Sequence, residues 1–170
     1  MNFQDMPQFV PQEVCLRCDG CCRFEHQKSE WRPRVGVKEY TSVRETQTIF
    51  DEIDAQGYLN ARPCQSGAQC VFFKAEDQTC LVYSKRPFEC RLYPFLLLKH
   101  DRGASIAVHK PCPHILEQGQ SSLFQEFVRR LERYFRQENV LEFIRSNPNL
   151  LAQYPGHEDD IQNLFVIQLD

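Results

Sequence analysis

Apolar residues recur at the helical period between residues 121 and 146. They are Phe124, Phe127, Val128, Leu131, Phe135, Leu141 and Ile144. The arginines and glutamates between them fall largely outside this stripe, as on a helix with one buried face. Ser121 or Ser122 can cap the first turn, and Asn147-Pro148 ends the pattern. We therefore predict one long amphipathic helix over 121–146 that packs on the core.

A weaker helical pattern covers residues 37–60. Val43, Phe50 and Ile53 fall on one face at spacings of seven and three residues, and Gly57 can stop the helix. Threonines in this stretch lower the helix propensity. We predict a second helix here whose stripe also packs on the core.

Strand-like runs are short. Residues 71–73 and 81–83 each follow a cysteine directly. Residues 95–99 and 106–108 flank a turn-forming stretch, 100–104, that contains glycine, which predicts a hairpin. Local propensity alone therefore predicts little strand in the middle of the chain.

The chain has 170 residues, a length typical of one compact domain. We expect a loose polar arm over 1–12, a cysteine-rich metal-binding domain with its C-terminal helix over 13–146, and a tail over 147–170 with a last strand at 164–167. The predicted fold class is α+β: a small single domain with an irregular cysteine-rich layer, short strands and one or two packed helices.

Charge and hydropathy exclude several classes of function. A net charge of −3 and a pI near 6.0 argue against a nucleic-acid partner. The N-terminus lacks the basic and apolar regions of a secretory signal, and no run approaches the roughly 20 apolar residues of a membrane span. We therefore expect a cytoplasmic protein without a membrane partner. A protein partner stays open.

Nine cysteines are the unusual feature of the composition. Four of them form the run Cys15-x-x-Cys18-x-x-Cys21-Cys22. Thiolates are soft anionic ligands that suit zinc and iron–sulfur clusters, and the spacing matches both zinc knuckles and the first three ligands of a [4Fe–4S] motif. A disulfide scaffold is the alternative, disfavoured by the odd count and the missing signal.

The more distant cysteines complete the candidate ligand set. Adding them to the N-terminal run gives eight candidate metal ligands: Cys15, Cys18, Cys21, Cys22, Cys70, Cys80, Cys90 and Cys112. Eight thiolates are enough for two four-thiolate sites. Cys21 and Cys22 are adjacent and point apart in an extended chain, so the run serves two nearby sites or one cluster and a second role. Cys64 is interpreted as a plain buried thiol.

The sequence resembles the bacterial CxxCxxCC (YkgJ-type) family of zinc- or iron-chelating domains. The resemblance lies in the segments 15–23, 70–72 and 80–95 and in Cys112, so it runs from about residue 15 to residue 112. It implies that these cysteines bind metal. The helix and tail that follow lie outside it.

Charged neighbours of the cysteines suit an anionic centre. Arg23, Arg86 and Arg91 could offset the charge of four thiolates, although Arg86 could instead pair with Glu89 or with the acidic tail. His109 and His114 flank Cys112 and are candidate replacement ligands.

Three functional hypotheses follow. The first is an iron–sulfur protein, with a [4Fe–4S] cluster as one form, in redox or cluster-dependent modifying chemistry. The alternative is a zinc-binding structural or interaction module without catalysis. A third is a thiol-redox protein that uses Cys21 and Cys22 as a strained, reducible pair. No catalytic residue is assigned, and whether the protein is an enzyme is left open.

Overall fold

The computed structural model describes residues 5–15, 17–18, 20–39, 49 and 51–169. Within them the chain forms one small domain of the predicted α+β class, with five α-helices and eight strands. The helices are α1 (Gln12–Cys15), α2 (Phe88–Leu92), α3 (Pro113–Gln118), α4 (Ser122–Phe135) and α5 (Glu138–Arg145). The strands are β1 (Arg23–Phe24), β2 (Ala61–Cys64), β3 (Gly67–Cys70), β4 (Phe73–Lys74), β5 (Thr79–Cys80), β6 (Phe95–His100), β7 (Gly103–His109) and β8 (Ile161–Gln168).

The longest strands form an antiparallel sheet in the order β6-β7-β8. His100 pairs with Gly103 across a two-residue turn, which confirms the predicted hairpin. Gly103 has φ +121°, and a Cβ there would lie 2.7 Å from the carbonyl oxygen of Ile167, so this turn requires glycine. Strand β8 covers the predicted last strand and pairs with the second edge of β7.

The predicted helix over 121–146 is two helices. Ser121 caps α4, since its hydroxyl accepts the amide hydrogen of Phe124 at 3.1 Å, as predicted. Gln137 adopts an extended backbone (φ −73°, ψ 132°) and separates α4 from α5. The apolar stripe nevertheless stays on one side, because α5 resumes with Val140 and Ile144 fully buried. Helices α4 and α5 supply the packed helices that the sequence predicts.

The predicted helix over 37–60 is wrong from residue 51 onward, where the described residues form turns and bridges, whereas Ile49 is helical as predicted. Ile53 forms a β-bridge with Leu59. The Asp54 carboxylate accepts the amide hydrogens of Gln56 and Tyr58, which folds the chain into a turn instead of a helix. Val43 and Phe50, the other members of the stripe, lie outside the described residues.

The cysteine-bearing strands are shorter than those of the large sheet and are displaced from their predicted positions. Residues 71–73 and 81–83 were expected as strands, but the strands lie just before or around them, at β3, β4 and β5. Strands β1, β3 and β2 form one small antiparallel sheet, and β4 pairs with β5. Three of these strands, β2, β3 and β5, end at a cysteine, and turns connect them to the residues that follow.

Two hydrophobic cores result. One lies between the large sheet and α4 and α5, and it includes Leu131, Phe135 and Ile106 at full burial. The other lies beneath the cysteines and includes Leu59 and Phe73. We call the described residues of 12–92 the cysteine layer, and residues 95–169 the C-terminal half.

Buried polar contacts join the two cores. Asn147 is fully buried, and its side-chain oxygen accepts the amide hydrogen of Lys38 at 2.7 Å. A Cβ on Gly36 would lie 2.7 Å from the same oxygen, so the close approach requires glycine.

The segments that flank the domain also contact the core. Met6 is buried, and the Phe9 ring lies 5.3 Å from that of Phe124. The division of the chain at residues 12 and 146 stays a prediction. No helix among the described residues is long and apolar enough to cross a membrane.

Candidate metal centre

A cavity of about 330 Å³ lies between the cysteine layer and the start of the large sheet. Seven of the eight predicted ligands line it: Cys15, Cys18, Cys21, Cys22, Cys70, Cys80 and Cys90. They come from stretches up to 75 residues apart in sequence (90 − 15). All nine cysteines are described, and none forms a disulfide. The fold therefore gathers the N-terminal run and the distal cysteines at one place.

Each of these cysteines lies in or beside a short element. Cys15 ends α1, and Cys21 and Cys22 lie in a single 3₁₀ turn over Gly20–Cys22. Cys70 ends β3 and Cys80 ends β5. Cys90 lies at the middle of α2. The sulfurs therefore reach one cavity from helices, strands and a 3₁₀ turn that are far apart in sequence.

One group of thiols is centred on Cys22. The side-chain hydrogen bond with Cys21 raises the pKa of the Cys22 thiol, and burial together with Cys70 and Cys90 raises it further. Burial raises the pKa of Cys70 to about 11, with Cys80 adding to the rise. Burial also raises the pKa of Cys90, and Cys70, Cys21 and Cys80 all contribute. These thiols are close enough that each resists ionisation of the others.

A second group includes the one predicted ligand that does not line the cavity. Cys112 is buried directly before α3. Burial raises the pKa of its thiol, and Cys18 and Cys21 add to that rise. Burial likewise raises the pKa of Cys15, with Cys21 contributing. Cys21 therefore lies within electrostatic reach of both groups.

The donor set fits a soft metal, although the side chains are not in ligating positions. Within the described residues, no three histidine, cysteine, aspartate or glutamate side chains converge closely enough to hold one metal ion. Crowded, protonated thiols that must lose their protons to bind a metal are nevertheless the chemistry of a zinc or iron–sulfur site. A metal ion bound in this cavity would offset the negative charges of the thiolates and so reduce their mutual repulsion.

A cation faces the thiols from one side. Arg86 Nη1 lies 3.7 Å from Cys15 Sγ, and its guanidinium stacks 3.8 Å from the centre of the Tyr83 ring. It lowers the pKa of Cys15, Cys80 and Cys90 against the larger opposing effect of burial. Arg86 therefore favours the thiolate form of these cysteines, which is one of the two roles that its position in the sequence predicted.

The alternative pairing of Arg86 with Glu89 is wrong, because Glu89 binds Arg34. Its carboxylate accepts the backbone amide hydrogen of Arg34 and lies 3.4 Å from Arg34 Nη1. Burial raises the pKa of Glu89 to about 7, and Arg34 opposes that rise. A second buried carboxylate, Glu39, accepts the amide hydrogen of Phe88 at 2.8 Å, at the start of α2. Both carboxylates fix the helix that carries Cys90.

The other two arginines have different surroundings. Arg91 donates to the backbone carbonyl oxygens of Arg86 and Ser84, and Cys90 acts on it electrostatically. The guanidinium of Arg23 lies 5.2 Å from the centre of the Phe73 ring at the cavity wall.

An aromatic wall formed by Trp31, Tyr93, His109 and Tyr154 lines the same cavity as the thiols, and the sequence did not point to Trp31 or Tyr154. The Trp31 ring packs 4.4 Å from His109 and 4.3 Å from Tyr154, between ring centres. His109 Nδ1 is hydrogen-bonded to the Tyr93 hydroxyl at 2.9 Å, and burial lowers the pKa of this histidine. His114 packs against Phe9 instead and does not line the cavity. No local pattern connects the residues of this wall, since they stand at four well-separated positions of the chain.

Cys64 lies apart from the site, as the ninth cysteine was expected to. It does not line the cavity, and its Sγ lies 3.7 Å from the Ser66 hydroxyl in the turn between β2 and β3. It is half-buried, so the interpretation as a buried thiol is wrong. The interaction with Ser66 lowers the pKa of Cys64.

Fold and cavity together define a small α+β protein whose thiols form a candidate site for a soft metal. The sequence profile of the CxxCxxCC family, described as "Putative zinc- or iron-chelating domain", matches residues 14–123. The chain belongs to this family, and the family description supports metal binding by chelation of zinc or iron. No curated protein and no solved structure matches the chain.

Proposed function

We propose that the protein holds iron–sulfur centres through the eight cysteines named above. The observation that carries the proposal is that seven of these cysteines line one cavity. An iron–sulfur centre supplies electron transfer or activation of a bound substrate. Its chemistry here is redox or cluster-dependent modification.

The electrostatic grouping suggests how the ligands divide. Cys70 and Cys90 act electrostatically on Cys22, and Cys80 acts on both Cys70 and Cys90, so we assign these four cysteines to the first four-thiolate set. We assign Cys15, Cys18, Cys21 and Cys112 to the second set, in which Cys21 acts electrostatically on thiols of both sets. Because Cys21 and Cys22 are adjacent in one 3₁₀ turn, the two centres are neighbours.

The charge of the surroundings supports such centres. Four thiolates on an oxidised [4Fe–4S] core leave a formal double negative charge. Arg86 lies beside Cys15 and acts on Cys80 and Cys90, so one guanidinium serves thiols of both sets. Partial neutralisation by a nearby cation stabilises the reduced form of a cluster.

Zinc is the second candidate, because the family description names zinc beside iron. Two closed tetrahedral Cys₄ sites would make the chain a structural or interaction module without catalysis. The same eight thiols would serve, and removal of the metal would unfold the cysteine layer.

The cysteines also bear on the cellular location and the binding partners of the protein. Reduced thiols need a reducing compartment, so we infer a cytoplasmic protein. Metal ions are its assigned ligands. We infer no nucleic-acid or membrane partner.

The test is anaerobic purification followed by an absorption spectrum and analysis of iron, sulfide and zinc. A brown protein with broad visible absorption and iron with sulfide in equal amounts supports the proposal. A colourless protein with stoichiometric zinc overturns it in favour of the zinc module. Protein that binds neither metal overturns both.

Single Cys→Ser variants test the division into two sets. Cys90→Ser should remove about half of the bound iron, and Cys112→Ser should remove the other half. Cys64→Ser is the matched control and should leave the metal content unchanged. If Cys90→Ser and Cys112→Ser each lose all of the bound metal, the protein holds one centre instead of two.

A further inference from the structure

One stretch that lines the cavity lies outside the family match. The family profile ends at residue 123, whereas Tyr154, His157 and Asp160 all contribute to the cavity wall. These residues precede β8 and form the segment 154–160, which we call the strap. The strap therefore lies outside the residues that the family profile matches.

Two side chains hold the strap against the cysteine layer. The Tyr154 ring stacks on Trp31 at 4.3 Å and 15° between ring planes, and its hydroxyl lies 3.3 Å from Arg34 Nη1. His157 meets the edge of Trp31 at 5.1 Å, and its Nε2 lies 3.5 Å from a carboxylate oxygen of Glu30. Both contacts centre on Trp31, which itself lines the cavity.

The two ends of the strap are fixed, and its middle is exposed. Before the strap, Ala152 exchanges backbone hydrogen bonds with Leu97 and Lys99 of β6. At its end, the Asp160 carbonyl oxygen accepts the amide hydrogen of Lys110 at 2.8 Å. Between them, Gly156 is exposed at φ +84°, and the position of its Cβ has no atom within 4 Å. Such a segment can swing about its ends when the side-chain contacts break.

We propose that the strap closes the thiol-lined cavity and controls the rate at which its bound metal exchanges with solution. The inference rests on the proposed metal-binding function. Metal can leave only when solvent and a competing ligand reach the thiolates, and the stacked rings of Tyr154 and Trp31 form part of the wall of the cavity that the thiols line. Local opening of a segment held by few contacts costs far less than global unfolding. Tyr154 and His157 are therefore positioning residues that act through Trp31.

The experiment measures metal release from loaded protein into excess chromogenic chelator, ferrozine for iron or pyridylazoresorcinol for zinc. Tyr154→Ala removes the stacked ring and should speed release about tenfold, with the amount of bound metal unchanged. His157→Ala should give a smaller increase. Tyr154→Phe keeps the ring on Trp31 and should release metal at the wild-type rate.

Trp31 offers an independent readout because it is the single tryptophan of the chain. Tyr154→Ala should change its fluorescence emission, whereas Tyr154→Phe should not. Val128→Ala is the control for general destabilisation. Val128 packs on the C-terminal core, away from the cavity, so this variant should lower stability without changing metal release.

Two results would contradict the proposal that the strap controls metal exchange. If Tyr154→Ala changes the Trp31 emission but leaves the release rate unchanged, the cavity is open regardless of the strap. If Tyr154→Phe releases metal as fast as Tyr154→Ala, the hydroxyl bond to Arg34, and not closure by the ring, controls release. Wild-type protein that binds no metal would instead refute the proposed function itself.

Discussion

The C-terminal half and the cysteine layer hold their chains in place by different means. Strands β6, β7 and β8 have six, seven and eight residues, whereas the strands of the cysteine layer have two or four. Ladder hydrogen bonds and an apolar core therefore suffice for the first region. The second has few ladders, and its side chains must supply the missing connections.

Ion pairs show the same contrast. In the cysteine layer, Arg32 and Asp54 pair at 2.8 Å with side chains only 5% and 10% exposed. In the C-terminal half, Arg136 pairs with Glu132 at 2.6 Å on the surface, with 71% of the arginine side chain exposed. Surface pairs contribute little, while a buried charge that loses its partner costs several kcal/mol. The cysteine layer thus depends on specific polar partners, and the C-terminal half depends on apolar burial.

Removal of bound metal should have the largest effect and should be confined to one region. Chelation from loaded protein is expected to speed amide hydrogen exchange in residues 61–92 by roughly hundredfold or more, because metal binding and folding of such a layer are coupled. Residues 95–109 should keep their protection, since β6 and β7 are held by their own ladder. Hydrogen exchange with mass spectrometry resolves the two segments. An equal change in both would show that the regions fold as one unit.

A core truncation should produce the opposite pattern. Leu131 is fully buried in the C-terminal core, and Leu131→Ala should lower the free energy of unfolding by about 3 kcal/mol through lost burial and the cavity left behind. Leu123→Ala, in the same helix at 67% exposure, is the matched control and should change it by less than about 0.5 kcal/mol. Urea denaturation measures both. Loss of metal stoichiometry in Leu131→Ala would contradict the independence of the two regions.

The same contrast decides how much the sequence alone could predict. The stripe from Phe124 to Ile144 and the hairpin were predictable because the local period of apolar residues matches the face that is buried. The shared location of seven of the cysteines was also predictable, since their number and spacing indicated that they bind metal together. The break at Gln137 was not predictable, because α5 resumes in phase and leaves the stripe intact.

The aromatic wall could not be predicted for a different reason. Tyr154 contacts Arg34 across 120 residues of sequence, and Trp31 meets His109 across 78 (109 − 31). Contacts over such distances produce no periodic pattern of apolar residues in the sequence. The predicted helix over 37–60 failed at Asp54 because hydrogen bonds from its carboxylate to nearby amides outweigh a weak apolar period. At this turn, side-chain hydrogen bonds override the local helix propensity.

The smallest predicted effect tests whether the cysteine layer needs its buried ion pair. Asp54→Asn leaves Arg32 without a charged partner and should lower the free energy of unfolding by about 2 kcal/mol at neutral pH. Burial raises the pKa of Asp54, but the hydrogen bonds from Arg32, Tyr58 and Gln56 outweigh it and leave the pKa below its ordinary value. A lowered folded pKa means that the carboxylate stabilises the fold above the unfolded pKa and loses this contribution as the pH falls through the folded pKa.

The difference in the free energy of unfolding between wild type and Asp54→Asn should therefore stay at about 2 kcal/mol from pH 5 to 7. It should shrink below about pH 4. Urea denaturation at a series of pH values measures it. Asp77→Asn is the control, because Asp77 pairs with Lys74 at 2.7 Å on the surface and its replacement should have no measurable effect. A wild-type advantage that persists unchanged at pH 3 would mean that Asp54 acts through its shape and amide contacts and not through its charge. The buried ion pair would then not be what distinguishes the cysteine layer from the C-terminal half.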